Sequence, residues 1–274
     1  MKNSPDRIGL GTYKLQDEEC VLMVKNAIEK GYRTIDTAVL YKNHESIASG
    51  IKESGIDVKE LYISSKIGKQ SQINGKIRET LIEILSELKI KSINQILLHE
   101  PVVSNLLSNW RILEECQKEG LVLNIGVSNF RVPELKYLLE NCRIRPYINQ
   151  FEVHPYCTRQ ELVSYCLRER ILIQAYSSLV VGRKFSDMKL KTLSDSSEIP
   201  MYKLLLGWGL GKNFYVIPKP LTITELMQNI ELLKEEPLDF KYIKILDSFN
   251  ENYYTIYKHR DQKVLKIPQP STDC

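Results

Sequence analysis

Apolar and polar positions along the chain alternate between two rhythms. Short, β-branched apolar runs occur at Ile8–Thr12, Thr34–Ala38, Leu61–Lys66, Ile93–His99, Leu123–Asn129, Tyr147–Val153, Ile171–Ser177 and Phe214–Lys219. Continuous apolar runs of this length are the mark of strands buried on both faces. Between them the period lengthens. Ile77, Leu81, Ile84, Leu85 and Leu88 fall on one helical stripe, and Leu226, Ile230 and Leu233 repeat it near the C-terminus. Gly31 and Gly120 follow charged helix ends, where a terminating glycine is expected.

Eight such units in series fold either as a doubly wound open sheet or as a closed barrel. An open dinucleotide-binding sheet needs a G-x-G-x-x-G after its first strand. Here the first strand leads into Gly9-Leu10-Gly11-Thr12-Tyr13-Lys14, without the third glycine. The run Gly207-Trp208-Gly209-Leu210-Gly211-Lys212 fails the phosphate-loop spacing and reads as a helix-to-strand turn. The pattern therefore predicts a single (β/α)8 TIM barrel spanning residues 1–274 as one domain, a length ordinary for that fold.

A barrel carries its chemistry at the C-terminal ends of its strands. Those ends are polar: Asp36-Thr37-Ala38 with Tyr41 beyond, Ser64-Ser65-Lys66, His99, Ser128-Asn129, Asn149-Gln150, Tyr176-Ser177-Ser178 and Pro218-Lys219. Taken singly, His99 reads as a packed core residue, Lys66 as a surface lysine and Asp36-Thr37 as a turn. Their convergence on one mouth predicts a site. Carbonyl reduction needs a hydride donor and an acid for the nascent alkoxide. Free tyrosine, with a pKa of about 10, is a weak donor at neutrality. Lys66 is placed to supply a cation that acidifies Tyr41, Asp36 to hold Lys66 charged, and His99 to orient the carbonyl oxygen.

Composition adds exclusions. The net charge is +4, with basic and acidic residues interleaved rather than gathered on a stripe, which argues against nucleic-acid binding. The six cysteines match no zinc or disulfide spacing, so no metal is expected and reduced thiols in a cytoplasmic protein are. No apolar h-region opens the chain and no run is long enough to span a membrane.

With these residues assembled, the chain resembles the aldo-keto reductase family from about Ile8 to residue 250. The resemblance is carried by Gly31-Tyr32-Arg33-Thr34-Ile35-Asp36-Thr37-Ala38, Tyr41-Lys42-Asn43, Leu97-Leu98-His99, Gly126-Val127-Ser128-Asn129-Phe130, Asn149-Gln150, His154-Pro155 and Ile217-Pro218-Lys219. It implies an NAD(P)H-dependent reductase of aldehydes or ketones, with Asp36, Tyr41, Lys66 and His99 catalytic. It implies that Ser128, Asn129 and Gln150 hold the nicotinamide carboxamide and that Tyr176 stacks on its ring. Ser177 and Leu179 would touch the pyrophosphate, and Lys219, Thr222, Glu225 and Asn229 would form the adenosine-phosphate end. A non-catalytic, cofactor-binding relative is the alternative.

Several departures qualify the resemblance. Pro220 and Glu225 stand where the family usually has Ser and Arg for the 2′-phosphate, which weakens discrimination between cofactors, while Lys219 and Thr222 keep NADP(H) favoured with NAD(H) possible. Glu100 replaces the common Trp, opening the substrate pocket. His44 stands where an acid often follows Asn43, and Ser178 replaces a Pro. The segment before Ile8 is too short for the usual hairpin plug, and the C-terminal tail 253–274 is a candidate to pack near the mouth. The expected partner is a small carbonyl substrate, and the expected state a monomer.

Overall fold

The computed structural model describes residues 2–256. Eight parallel strands pair in chain order: β1 (Leu10–Gly11), β2 (Thr34–Asp36), β3 (Tyr62–Ile67), β4 (Ile93–Leu98), β5 (Val122–Ser128), β6 (Ile148–Glu152), β7 (Leu172–Tyr176) and β8 (Tyr215–Val216). The last strand returns to the first. Ile8 bridges Val216 in parallel, Gly9 N donates to Val216 O at 2.9 Å and Gly11 N to Pro218 O at 3.0 Å. The fold is thus the (β/α)8 barrel that the alternating periods predict.

The strands are apolar because both faces are covered. β4 is buried throughout, one face turned to the barrel interior and the other to helices. The helix Ile77–Glu87 shows how its sequence produces this cover: Ile77, Leu81, Ile84 and Leu85 are all buried on its inner face. The second stripe is shorter than its spacing promised. Leu226 and Ile230 are buried on the helix Ile223–Glu231, but Leu233 lies on the following 3-10 turn and is exposed. Gly31 and Gly120 end their helices with φ of +102° and +78°.

The glycine run 207–211 departs from expectation. It is the C-terminal half of the helix Met201–Gly211, not a turn. A Cβ on Gly209 would lie 2.9 Å from Cγ1 of Val216, so the glycine serves close packing of this helix on β8. Gly11 has a similar role where the barrel closes: a Cβ there would meet the carbonyl oxygen of Ile217 at 2.6 Å.

Below the barrel, residues 2–7 cross the floor as one stretch without a strand. Asn94 Nδ2 donates to Lys2 O at 2.8 Å, and Asp6 N to Thr34 Oγ1 at 2.7 Å. At the opposite end, Thr255 reaches the mouth and donates from N and Oγ1 to Glu152 Oε1, at 2.6 and 2.5 Å. Of the C-terminal tail 253–274, positions 257–274 lie outside the described residues. Among the described residues no helix is long and apolar enough to cross a membrane, and no cluster of His, Cys, Asp and Glu could hold a metal.

Candidate active site

Parallel pairing in register brings the polar strand ends to one level. Asp36 closes β2 opposite Ser64, and Lys66 lies two residues further along β3. The Lys66 ammonium donates to Asp36 Oδ2 at 2.5 Å and to the Thr37 carbonyl at 2.8 Å. The two side chains are only 1% and 3% exposed, so neither charge has water as a substitute partner. An ammonium has three protons, and these two bonds leave one.

Tyr41 ends the single 3-10 turn Val39–Tyr41. That turn is fixed by Lys42 in the left-handed region (φ 54°) and by buried Asn43. The Asn43 amide donates to the carbonyls of Thr12 and Leu15, both at 3.0 Å, and its oxygen accepts from Thr37 Oγ1 at 2.7 Å. The loops after β1 and β2 are thereby stitched together around the phenol. The Lys66 nitrogen stands 5.2 Å from the centre of the Tyr41 ring. His99, just past β4, meets that ring edge-on at 6.2 Å and 79°. The four residues expected to be catalytic are brought together.

Their electrostatics differ in sign from the sequence expectation. Burial pushes the Tyr41 phenol up from its ordinary value, and the neighbouring Asp36 carboxylate and Tyr13 push it the same way. Burial lowers Lys66, against the opposing pull of Asp36. Burial is the largest of these effects, and the Lys66 ammonium, hydrogen-bonded to Asp36, does not reverse it.

The residues expected around a nicotinamide are linked to one another. Ser128 Oγ donates to Gln150 O at 2.9 Å, Asn129 Nδ2 to His99 O at 2.9 Å, and Tyr176 Oη to Asn129 Oδ1 at 2.7 Å. Asn129 adopts φ 61°, which asparagine tolerates better than most residues. Gln150 Nε2 donates to Asp36 Oδ1 and to Gln174 Oε1, both at 2.8 Å. Past β7, Ser177 (φ 54°) donates from Oγ to Thr255 Oγ1 at 3.0 Å, since the single Thr255 hydroxyl proton is taken by Glu152, and Leu179 packs on the core. Val180 and Val181 follow with φ of 54° and 52°, a strained conformation for β-branched residues.

The other end of the mouth is the N-terminus of the helix Ile223–Glu231. Thr222 caps it, accepting from Glu225 N at 3.1 Å. Glu225 turns its carboxylate back onto Leu221 N at 2.7 Å. Among the described residues the Lys219 ammonium, two residues before Leu221, has no ion-pair partner. Asn229 is buried on the same helix, its side chain turned to the Tyr32 hydroxyl. A cation without an ion-pair partner and a helix N-terminus fit an anionic group such as a nucleotide phosphate.

Of the departures from the family pattern, His44 is the most deeply engaged. Its ring is buried and joins Glu87 Oε2 at 2.7 Å to Ser65 Oγ at 2.9 Å. Glu100 is partly buried beyond His99, and Ser178 donates to Ala175 O at 3.0 Å.

Two contributors escaped the reading of strand ends. Tyr13, in the loop after β1, packs its ring 5.0 Å from that of Tyr41. The rule that points to strand ends applies equally to the first strand, where Thr12-Tyr13 follow Gly11. Gln174 was hidden inside an apolar run, yet its spacing of two from Tyr176 places it on the same strand face.

A parallel barrel with a buried lysine–aspartate pair beside a tyrosine and a histidine at its C-terminal mouth defines the class. The chain belongs to the aldo/keto reductase family, whose profile matches residues 7–251. It is 34% identical over 236 residues to glyoxal reductase of Bacillus subtilis (strain 168), covering 84% of this chain and 86% of that protein. It is 31% identical over 234 residues to methylglyoxal reductase DkgA of Escherichia coli (strain K12), covering 84% of each. Among solved structures, an aldo-keto reductase from a Medee basin deep-sea metagenome library superposes with a TM-score of 0.87. That match has 31% identity and covers 92% of this chain and 93% of the other.

Proposed function

We propose that this protein reduces small aldehydes and α-dicarbonyls to alcohols with NADPH, Tyr41 donating the proton. The observation that carries this reading is the placement of the Lys66 nitrogen 5.2 Å from the Tyr41 ring while its charge is held by Asp36. The dicarbonyl class is supported by the glyoxal and methylglyoxal reductases that the chain resembles. Glu100, standing where the family commonly has Trp, favours such small polar substrates over bulky apolar ones.

A bound dihydronicotinamide supplies the hydride to the carbonyl carbon. The protein does the rest. His99 and Tyr41 hold the carbonyl oxygen from two sides, and as negative charge develops there the Tyr41 proton passes to it. The phenolate left behind is desolvated, and the remaining Lys66 N–H is the cation nearest to stabilise it. Ser128, Asn129 and Gln150 orient the carboxamide, Tyr176 supports the ring, and Ser177 and Leu179 line the pyrophosphate.

NADPH is favoured over NADH, but weakly. Lys219, Thr222 and Asn229 offer a cation and donors for a 2′-phosphate, whereas Pro220 has no N–H and Glu225 adds a negative charge beside it. A small carbonyl substrate, a monomer and a cytoplasmic location complete the reading. The experiment is loss of dihydronicotinamide absorbance with methylglyoxal, for wild type and Tyr41→Phe. Turnover in the first and its near loss in the second are expected; wild-type protein without turnover, or turnover untouched in Tyr41→Phe, overturns the proposal.

A further inference from the structure

Barrel interiors are commonly filled by branched apolar side chains. One level of this barrel is not. Gln150 on β6, Gln174 on β7, Gln95 on β4 and Ser64 on β3 are all buried. Gln95 Nε2 reaches Gln174 Oε1 at 3.3 Å although β4 and β7 are not neighbours, so these side chains meet inside the barrel. Gln95 Nε2 also donates to Ser64 Oγ at 2.9 Å. The single oxygen of Gln174 accepts both from Gln95 and, at 2.8 Å, from Gln150.

The upper end of this layer is Asp36. Its two carboxylate oxygens have different partners: Oδ2 takes the Lys66 ammonium, and Oδ1 takes Gln150 Nε2 at 2.8 Å. Gln150 Nε2 has two protons, and both are committed, one to Asp36 and one to Gln174. We propose that Gln174 is a positioning residue for the reduction: by accepting from Gln150 it aims that amide at Asp36 Oδ1, which fixes the carboxylate plane and leaves Oδ2 for Lys66 beside Tyr41. The proposal rests on the reading of Asp36, Lys66 and Tyr41 given under Proposed function.

The consequence has a sign. Without the Gln174 oxygen, one Gln150 N–H is left unpaired in a dry interior, so the amide turns and Asp36 Oδ1 loses its donor. The carboxylate then carries more unscreened negative charge next to the phenol, and the Tyr41 proton is held more tightly. Proton transfer slows, and ionisation of the phenol moves to higher pH.

Gln174→Met keeps the volume and removes the acceptor, and Gln95→Met removes the outer branch of the layer together with the acceptor of the Tyr62 hydroxyl, neither of which touches Asp36. For Gln174→Met, kcat for methylglyoxal falls about tenfold or more, since small misplacements of catalytic groups cost this much. Its KM stays near wild type, and the alkaline limb of its log kcat–pH profile moves to higher pH. Gln95→Met leaves kcat and the limb in place. Wild-type turnover with an unchanged limb and kcat in Gln174→Met, or equal losses in both variants, overturns this proposal alone. No NADPH oxidation by the wild type overturns the reading of the site and this proposal with it. Gln174→Leu gives the same comparison if the Met variant does not fold.

Discussion

The Lys66 ammonium and the Asp36 carboxylate meet at 2.5 Å with both side chains almost wholly withdrawn from water. Each charge is tolerated in the interior only because of the other, and the pair reaches the mouth through a third group, the Tyr41 ring. Structure and chemistry therefore share one interaction, and cutting it disturbs both.

Asp36→Asn leaves the buried ammonium without its counter-charge. Breaking such a pair from one side costs about 3–5 kcal/mol. The urea midpoint of Asp36→Asn should fall accordingly, and kcat should fall with it. A variant as stable as wild type contradicts the buried-pair account.

Burial lowers the pKa of His44 despite its contact with Glu87. The unfolded chain, titrating near 6.5, then takes up a proton that the folded protein refuses. Stability is unaffected above that value and declines as pH falls from it towards the folded pKa, by at most about 1.4 kcal/mol per pH unit. Urea titrations at pH 7 and pH 5 should show this loss, and His44→Gln should flatten it. Glu152 acts in a separate, more acidic window. Burial opposes its charge, but hydrogen bonds from His154 and Thr255 prevail and hold it below its ordinary 4.5. Its contribution is present above that value and is lost as pH falls through the folded pKa.

Barrel closure depends on the close approach of β1 to the chain after β8. Gly11→Ala places a methyl group 2.6 Å from a backbone oxygen, which no side-chain rotation relieves. Overpacking of this kind costs typically about 1–3 kcal/mol, and thermal unfolding of Gly11→Ala should show it. Leu81→Ala, at a fully buried position of the helix Ile77–Glu87, should cost about 2–5 kcal/mol by opening a cavity.

The cofactor end gives a binding prediction. With Glu225 on the first turn of the helix that follows Lys219, the Kd values for NADPH and NADH should differ by less than about a hundredfold, or 2.7 kcal/mol. Glu225→Arg should widen the gap in favour of NADPH. A hundredfold or greater preference in the wild type contradicts the role given to Glu225.

Much of this was legible in the sequence, for identifiable reasons. All eight apolar runs are strands because a doubly covered parallel strand has a composition few other elements share. Their ends were less legible: Ile8–Thr12 and Phe214–Lys219 shrink to Leu10–Gly11 and Tyr215–Val216, where ladder pairing gives way to single bridges at closure. The glycines at 207–211 resemble a turn until Val216 and Ile243 are placed against them. The four site residues could be gathered because a barrel delivers strand ends to one mouth. The direction of the Tyr41 shift could not be read, because it depends on how deeply the phenol is buried and on its approach to Asp36 and Tyr13. Gln174 could not be read as polar lining either, because its partners come from β4 and β6.

The central claim is that Tyr41 hands its proton to the carbonyl oxygen, and single-turnover reduction of methylglyoxal at saturating NADPH tests it most directly. Tyr41→Phe should slow the step about 10²–10⁴-fold, as loss of a positioned acid does, with the Kd for NADPH nearly unchanged. Reduction by Tyr41→Phe at the wild-type rate would contradict the account.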